Sequence, residues 1–158
     1  MQKIYPCLWQ NGTAEEAAAL YMKAFKNSRI LQTTHYPEGA PMPKGSVMTI
    51  HFLLNEQEFM ILNGGPWEPY TGALSLVANC DTQEELDHVW DTLTADGGQA
   101  VQCGWLKDKY GVSWQVVPTL LGKFITDTDP VRTQRVMTAL WKMVKLDIAT
   151  LQAAYDGK

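Results

Sequence analysis

Apolar residues at Ala17, Leu20, Tyr21, Ala24 and Phe25 follow the i, i+3, i+4, i+7, i+8 spacing of one buried helix face. Ahead of them, Thr13-Ala14-Glu15-Glu16 puts a threonine N-cap three residues before a glutamate, a capping box that starts the helix near residue 14. Asn27-Ser28 ends it. Residues 3 to 9 read as a short strand before this helix and Arg29 to Tyr36 as another after it. Three prolines and two glycines between residues 37 and 45 make a loop. Ser46 to Leu54, rich in Val, Ile, Thr and Phe, turns at Asn55-Glu56-Gln57 and returns as Glu58 to Asn63, a hairpin. Gly64-Gly65-Pro66 then opens a loop through Pro69.

The same order of elements starts again with a strand at Ala73 to Asn79, a capping box at Asp81-Thr82-Gln83-Glu84, and a helix whose apolar face holds Leu86, Val89, Trp90 and Leu93. Thr13, Glu15, Glu16, Leu20, Tyr21 and Ala24 recur 69 positions later as Thr82, Glu84, Glu85, Val89, Trp90 and Leu93. After Gly97-Gly98 come strands near Gln99 to Cys103 and Trp105 to Lys109, a turn at Tyr110-Gly111, and a last strand at Val112 to Val117. An internal repeat outweighs any single propensity, so the chain is expected to hold two tandem βαβββ modules, the second shorter because it lacks the Pro/Gly-rich loop. The expected fold class is α+β, a single domain over 1–158 with module one at 1–66, module two at 72–118 and a helical tail at 119–158.

That tail has no partner in the repeat. Asp129-Pro130 supplies an N-cap with proline in the first helical turn, and Val131, Arg135, Val136, Ala139, Leu140, Met143 and Val144 mark the helix that follows. Asp147 caps a shorter one with Ile148, Leu151 and Tyr155 on its apolar face. These faces must dock on the outside of a sheet or on a second subunit, and a homodimer is expected with residues 119 to 158 on or near its two-fold axis.

Composition narrows the partners. With 13 basic and 17 acidic residues, a net charge of −4 and no block of like charges, the chain offers no basic stripe for nucleic acid. No apolar run approaches the ~20 residues that cross a bilayer, and the first residues hold no apolar stretch of signal-peptide length, so a cytoplasmic protein with no membrane contact is expected. Three cysteines, Cys7, Cys80 and Cys103, lack C-x-x-C spacing and suit neither a disulfide framework nor a zinc knuckle.

Two tandem βαβββ modules resemble the vicinal oxygen chelate superfamily, which includes glyoxalase I, the bleomycin-resistance proteins and the extradiol dioxygenases. Pro6-Cys7-Leu8-Trp9 before Ala14-Glu15-Glu16-Ala17, Leu62-Asn63-Gly64-Gly65-Pro66, and the run from Gln102-Cys103-Gly104-Trp105 through Ser113-Trp114-Gln115 are similar to its PhnB-like branch, often labelled 3-demethylubiquinone-9 3-methyltransferase. The resemblance extends into the tail at Arg135-Val136-Met137 and Lys145-Leu146-Asp147-Ile148-Ala149. It implies that each set of four strands curves into a half-barrel and that the two halves face each other around a cavity. It also implies metal-ligand positions on the first and last strand of each module, which fall at Pro6 (Tyr5 if the register slips by one), Phe59, Ser75 and Gln115. None of these is His, Glu, Asp or Cys, so no metal and no cofactor are expected.

Among individual residues, His51 shares a strand face with Val47, Thr49 and Leu53 by the period of two and is either an acid/base group or a structural histidine. His35 and His88 read as solvated. Asn63, before Gly-Gly-Pro, either faces a ligand or caps the loop's own backbone. The resemblance aims Ser75 and Gln115 into the cavity, where hydroxyl and amide would orient a polar molecule, with Gln102 beside them on a neighbouring strand. Trp9, Trp105 and Trp114 either stack on a planar ligand or fill core. Cys103 is a nucleophile only if a base activates it, and Lys107-Asp108-Lys109 reads as a solvated turn. The expected function is metal-independent binding of a small molecule through His51, Asn63, Ser75, Gln102 and Gln115. The alternative is a glyoxalase-like or dioxygenase-like enzyme with a non-standard site, either metal-dependent through a ligand set such as His51 with Glu58 or a metal-free isomerase or lyase working through His51. Methyl transfer is the least favoured, since its usual donor-binding fold needs a parallel α/β sheet and a glycine-rich first turn.

Overall fold

The computed structural model describes residues 2–66 and 69–158. Trp67 and Glu68, in the expected loop through Pro69, and Met1 lie outside the described residues. The chain divides into two compact units, Met1–Pro69 and Tyr70–Lys158, the second including the helical tail.

In the first unit β1 (Cys7–Gln10), α1 (Ala14–Ala24), β2 (Arg29–His35), β3 (Val47–Leu54) and β4 (Gln57–Asn63) follow in order. Their sheet runs β1-β4-β3-β2, with β1 parallel to β4 and the other pairs antiparallel. In the second, β5 (Leu76–Cys80), α2 (Gln83–Thr94), β6 (Gln99–Ala100), β7 (Trp105–Lys107) and β8 (Ser113–Pro118) repeat the plan as β5-β8-β7-β6, again with one parallel pair. This is the duplicated βαβββ arrangement of the vicinal oxygen chelate half-barrels, each repeat a four-stranded mixed sheet with one crossover helix.

Alternation decides which face the helix covers. On β3 and β4 the buried residues Ile50, Phe52, Leu54, Phe59 and Ile61 lie on the side packed by α1, whose Ala14, Ala17, Ala18, Tyr21 and Ala24 are buried against them. The small alanines let α1 lie close to the sheet, and Tyr21 fills the remaining width. In the second unit Ala78, Cys80, Leu106, Trp114 and Val116 meet Leu86, Val89, Trp90 and Leu93 of α2 in the same way.

The helix starts differ from the expected capping boxes. Thr13 makes no side-chain cap. Its hydroxyl donates to Gln10 Oε1 at 2.7 Å, while the Ala14 N–H donates to Asn63 Oδ1 at 3.1 Å. At α2 the cap is Thr82 rather than Asp81: Thr82 Oγ1 accepts from Glu85 N, and the Glu85 carboxylate accepts from Asp81 N at 2.8 Å. The box is therefore shifted by one residue, with Glu85 in the place expected for Glu84.

The tail comprises α3 (Leu120–Ile125), which the apolar pattern did not predict, α4 (Pro130–Leu140) and α5 (Ile148–Asp156). Asp129 and Asp147 cap α4 and α5 as expected, accepting from Val131 N and Thr150 N. Helix α4 stops at Leu140, before Met143 and Val144, because those two residues turn their carbonyls to the Cys103 and Gly104 N–H groups at 2.9 and 2.8 Å. Leu146 then packs on Gly104, where an added Cβ would stand 3.0 Å from its Cδ1 and 2.8 Å from the Val116 carbonyl oxygen. Gln83 of α2 donates to the Leu146 carbonyl and accepts from Ile148 N, and Lys145 pairs with Asp87 and Asp91. The tail thus docks on its own second unit, one of the two places its apolar faces required.

Two further expectations are corrected. The strand from Gln99 ends at Ala100, since Cys103 and Gly104 take left-handed backbone angles (φ 61° and 81°) that a ladder cannot continue. Lys107-Asp108-Lys109 is not a solvated turn: Asp108 is 3% exposed, and its carboxylate accepts from Tyr110 N, Val112 N and Trp114 Nε1 at 2.9 to 3.1 Å.

Candidate functional site

The face of the first sheet turned away from α1 is built in rows by strand pairing. Cys7, Met60, His51 and Gln32 stand in one row across β1, β4, β3 and β2, and Trp9, Leu62, Thr49 and Thr34 in the next. Glu58 and Leu53 pair on the other side of the His51 row. The period of two therefore places His51 and Glu58 diagonally on one face. His51 Nδ1 lies 3.8 Å from Glu58 Oε1, the Tyr5 ring meets the imidazole edge-on at 5.5 Å, and the Gln2 N–H donates to Glu58 Oε2 at 2.6 Å. Glu58 is buried, a residue type that is almost never fully enclosed without a partner.

Asn63 sits at the end of β4 and is fixed at three points, two of its side-chain bonds going to backbone and its own carbonyl to a tyrosine hydroxyl. Its Oδ1 accepts from Ala14 N, its Nδ2 donates to the Val47 carbonyl at 3.0 Å, and its own carbonyl accepts from the Tyr36 hydroxyl at 2.5 Å. It also borders a cleft of about 400 Å³ within the first unit, together with Glu15, His35, Met42 and Val47. The amide thus caps the start of α1 and ties to the start of β3, not to the backbone of the loop that follows it. Asn63→Ala should lower stability by about 1 to 2 kcal/mol, the usual cost of a lost cap with buried groups left unpaired, read as a drop in urea midpoint and in the helical circular dichroism signal. An unchanged midpoint would mean that the amide does not hold α1.

In the second unit Gln115 Nε2 donates to Ser75 Oγ at 2.9 Å, so the hydroxyl and amide predicted together do meet. Both lie on the face opposite α2, with Val77 beside Gln115 on β5 and Trp105 beside it on β7. Gln102 does not join them: it is exposed in the bend after the shortened β6, where its carbonyl accepts from Trp105 N. Trp114 is core, and its indole is tied to Asp108. Trp9 donates to the Gly65 carbonyl at 2.7 Å. His35 and His88 are exposed as expected. Burial, followed by the carboxylates of Glu85 and Asp81, pushes the Cys80 thiol up to about 12, which leaves it unreactive at neutral pH. Cys103 contributes its backbone N–H to the tail.

The resemblance implies metal-ligand positions on the first and last strand of each module, Ser75 and Gln115 in the second, and strand pairing gives their register. Val77 pairs with Gln115, and Ser75 stands two residues before Val77. In the first unit Cys7 pairs with Met60, and Tyr5 stands two residues before Cys7. On the face turned away from α1, the residues in the corresponding register are Tyr5, the slipped alternative to Pro6, and Met60, next to Phe59. The Pro6 carbonyl accepts from Met60 N, and the Phe59 ring packs against Phe52 at 5.8 Å on the α1 side. A phenol, a thioether, a hydroxyl and an amide do not fit a divalent cation, which takes imidazole, carboxylate or thiolate. Among the described residues, no three His, Cys, Asp or Glu side chains stand close enough together to hold a metal ion. No helix among them is long and apolar enough to cross a membrane.

The sequence profile of the 3-demethylubiquinone-9 3-methyltransferase family matches residues 2–117. The PhnB protein of Bacillus cereus is 38% identical over 75% of this chain and 100% of its own, with a TM-score of 0.69. Protein PA1353 of Pseudomonas aeruginosa is 22% identical over 75% and 98% of the two chains, with a TM-score of 0.61. The fosfomycin resistance protein FosX of Listeria monocytogenes, in complex with Mn(II) and 1S,2S-dihydroxypropylphosphonic acid, shares the fold at 15% identity over 72% and 90%, with a TM-score of 0.51. No curated protein matches the chain. The family profile stops at the end of β8, so the tail that the sequence reading included in the resemblance lies beyond it. With its duplicated βαβββ plan and these relatives, the chain belongs to the PhnB-like, 3-demethylubiquinone-9 3-methyltransferase family of the vicinal oxygen chelate superfamily.

Proposed function

We propose that the protein binds a small molecule without a metal ion, on the sheet faces that α1 and α2 leave uncovered. The observation that carries this reading is the donor set at the superfamily's metal-ligand positions: Tyr5, Met60, Ser75 and Gln115. FosX has Mn(II) in its complex; this chain puts neither imidazole nor carboxylate at those positions. The polar contacts left for a ligand are uncharged at Ser75 and Gln115 and titratable at His51. Protein purified without a histidine tag should carry far less than one divalent ion per chain, and chelator treatment should leave its melting temperature unchanged. A thermal-shift screen of small molecules should find one that stabilises by about 2.7 kcal/mol at a hundred times its dissociation constant. A tightly held stoichiometric metal would overturn the reading.

One observation favours a second reading, an isomerase or lyase that moves a proton through His51: the Glu58 carboxylate stands behind the ring. Methyl transfer, the activity in the family's description, has less support. Each sheet is mixed with a single parallel pair, unlike a parallel nucleotide-binding sheet.

The same proposal places the protein in the cytoplasm as a homodimer. The tail still exposes Val131, Trp141 and Val144 after docking on its own unit, more apolar surface than it needs for that task. Light scattering at micromolar concentration should give twice the chain mass of 17.7 kDa, and a single-chain mass would refute the dimer.

A further inference from the structure

Glu58 is 4% exposed, and among the described residues one of its carboxylate oxygens accepts a hydrogen bond, from Gln2 N. The other faces His51 Nδ1 at 3.8 Å. That nitrogen is itself buried and has no hydrogen-bond partner among the described residues, yet the His51 side chain keeps 15% of its surface. The accessible part of the ring therefore lies away from Nδ1. A neutral imidazole carries a proton on one nitrogen and a lone pair on the other. An N–H directed at the carboxylate is attracted, whereas a lone pair there is repelled, so the carboxylate selects the tautomer.

We propose that Glu58 is a positioning residue that keeps the His51 proton on Nδ1, so that Nε2 is a bare acceptor for the hydroxyl of a neutral, weakly acidic ligand, a phenol or an enol. The inference rests on the reading of this sheet face as a ligand surface and adds the class of molecule it takes. The choice of a neutral donor follows from charge. A ligand carboxylate or phosphate at Nε2 would be repelled by Glu58 across the ring, while a neutral O–H loses nothing. Within the first unit, the other groups around the ring bring no opposing charge. Tyr5 presents a ring edge from the N-terminal segment, Met60 a thioether from β4, Gln32 an amide from β2, and Cys7 a thiol whose ionisation burial raises further above neutral pH. Met60 beside His51, with Leu62 and Trp9 in the next row, supplies the apolar surface that a flat unsaturated ligand covers.

The test uses nitrogen-15-labelled full-length protein, dialysed against a chelator and held at alkaline pH, at which the spectrum itself shows a neutral ring. Long-range proton–nitrogen correlation should show His51 as a single tautomer, with the shift of a protonated nitrogen at Nδ1 and of a lone-pair nitrogen at Nε2. In Glu58→Leu, which keeps the volume and removes the charge, the two shifts should move toward each other as the tautomers mix. Phenol added to the wild-type protein should shift the Nε2 signal saturably, and benzoate should not. A wild-type proton on Nε2 overturns the proposal whether or not the variant folds. So do an unmixed tautomer in folded Glu58→Leu, an Nε2 signal unmoved by phenol, and benzoate binding in preference to phenol. Each of these failures leaves metal-free binding standing, because that reading is decided separately by metal content and the ligand screen.

Discussion

Asp108→Ala is expected to lower the stability of the protein by about 3 to 5 kcal/mol, the range for removing one partner from a buried charged network. Three donors lose their acceptor at once: the N–H groups of Tyr110 and Val112 and the Trp114 indole N–H. The turn itself depends on the same residue, since Gly111 N donates to the Asp108 carbonyl and Asp108 N to the Val112 carbonyl. Asp108→Asn should recover part of the loss: the amide oxygen still accepts, but its NH2 group cannot accept from a backbone N–H or from the indole. Urea denaturation followed by tryptophan fluorescence measures both variants. Equal midpoints for wild type and Asp108→Ala would show that the carboxylate does not hold the turn.

Trp90→Ala should cost about 3 to 5 kcal/mol, as truncation of a buried aromatic usually does. Trp90 is 6% exposed on the face of α2 that packs on β5, β7 and β8. Its position corresponds to that of Tyr21 in α1, one repeat earlier, so a single large ring fills the space between helix and sheet in both modules. Calorimetry of the purified variant reads the loss as a fall in melting temperature. A fall of less than a degree would mean that the ring is not part of the core.

Local signals carried most of the architecture. Apolar spacing located α1, α2, α4 and α5, the Asp-Pro pair started α4, and alternation assigned the faces of β3 and β4. The repeat then fixed which elements correspond. What the sequence concealed depends on contacts between residues far apart along the chain. Asn63 caps a helix 49 residues before it, whereas the local pattern points to Thr13, which has the right type at the right place. Asp108 lies between two lysines, and a charged triplet reads as surface because no local rule says that the middle one turns inward to an indole six residues on. The early end of α4 has the same origin: Met143 and Val144 satisfy the helical spacing, but their carbonyls go to Cys103 and Gly104. The Ser75–Gln115 contact, 40 residues apart, was legible only through the resemblance. His51 was singled out as a histidine on a strand, while the closeness of Glu58 to its Nδ1 required the pairing of β3 with β4.

The clasp between Cys103-Gly104 and Met143-Val144 sets an order of events on the ribosome. The N–H groups that need those carbonyls emerge first, and their acceptors follow 40 residues later, at 143 and 144. At a synthesis rate of about 5 to 20 residues per second, that interval is roughly 2 to 8 s. The strand pairings of the first module join residues 7 to 63 and are all available before the second module is made. In the second, water has to satisfy the amides of Cys103 and Gly104 until residues 143 and 144 have been made, so a chain stalled before residue 143 lacks this clasp.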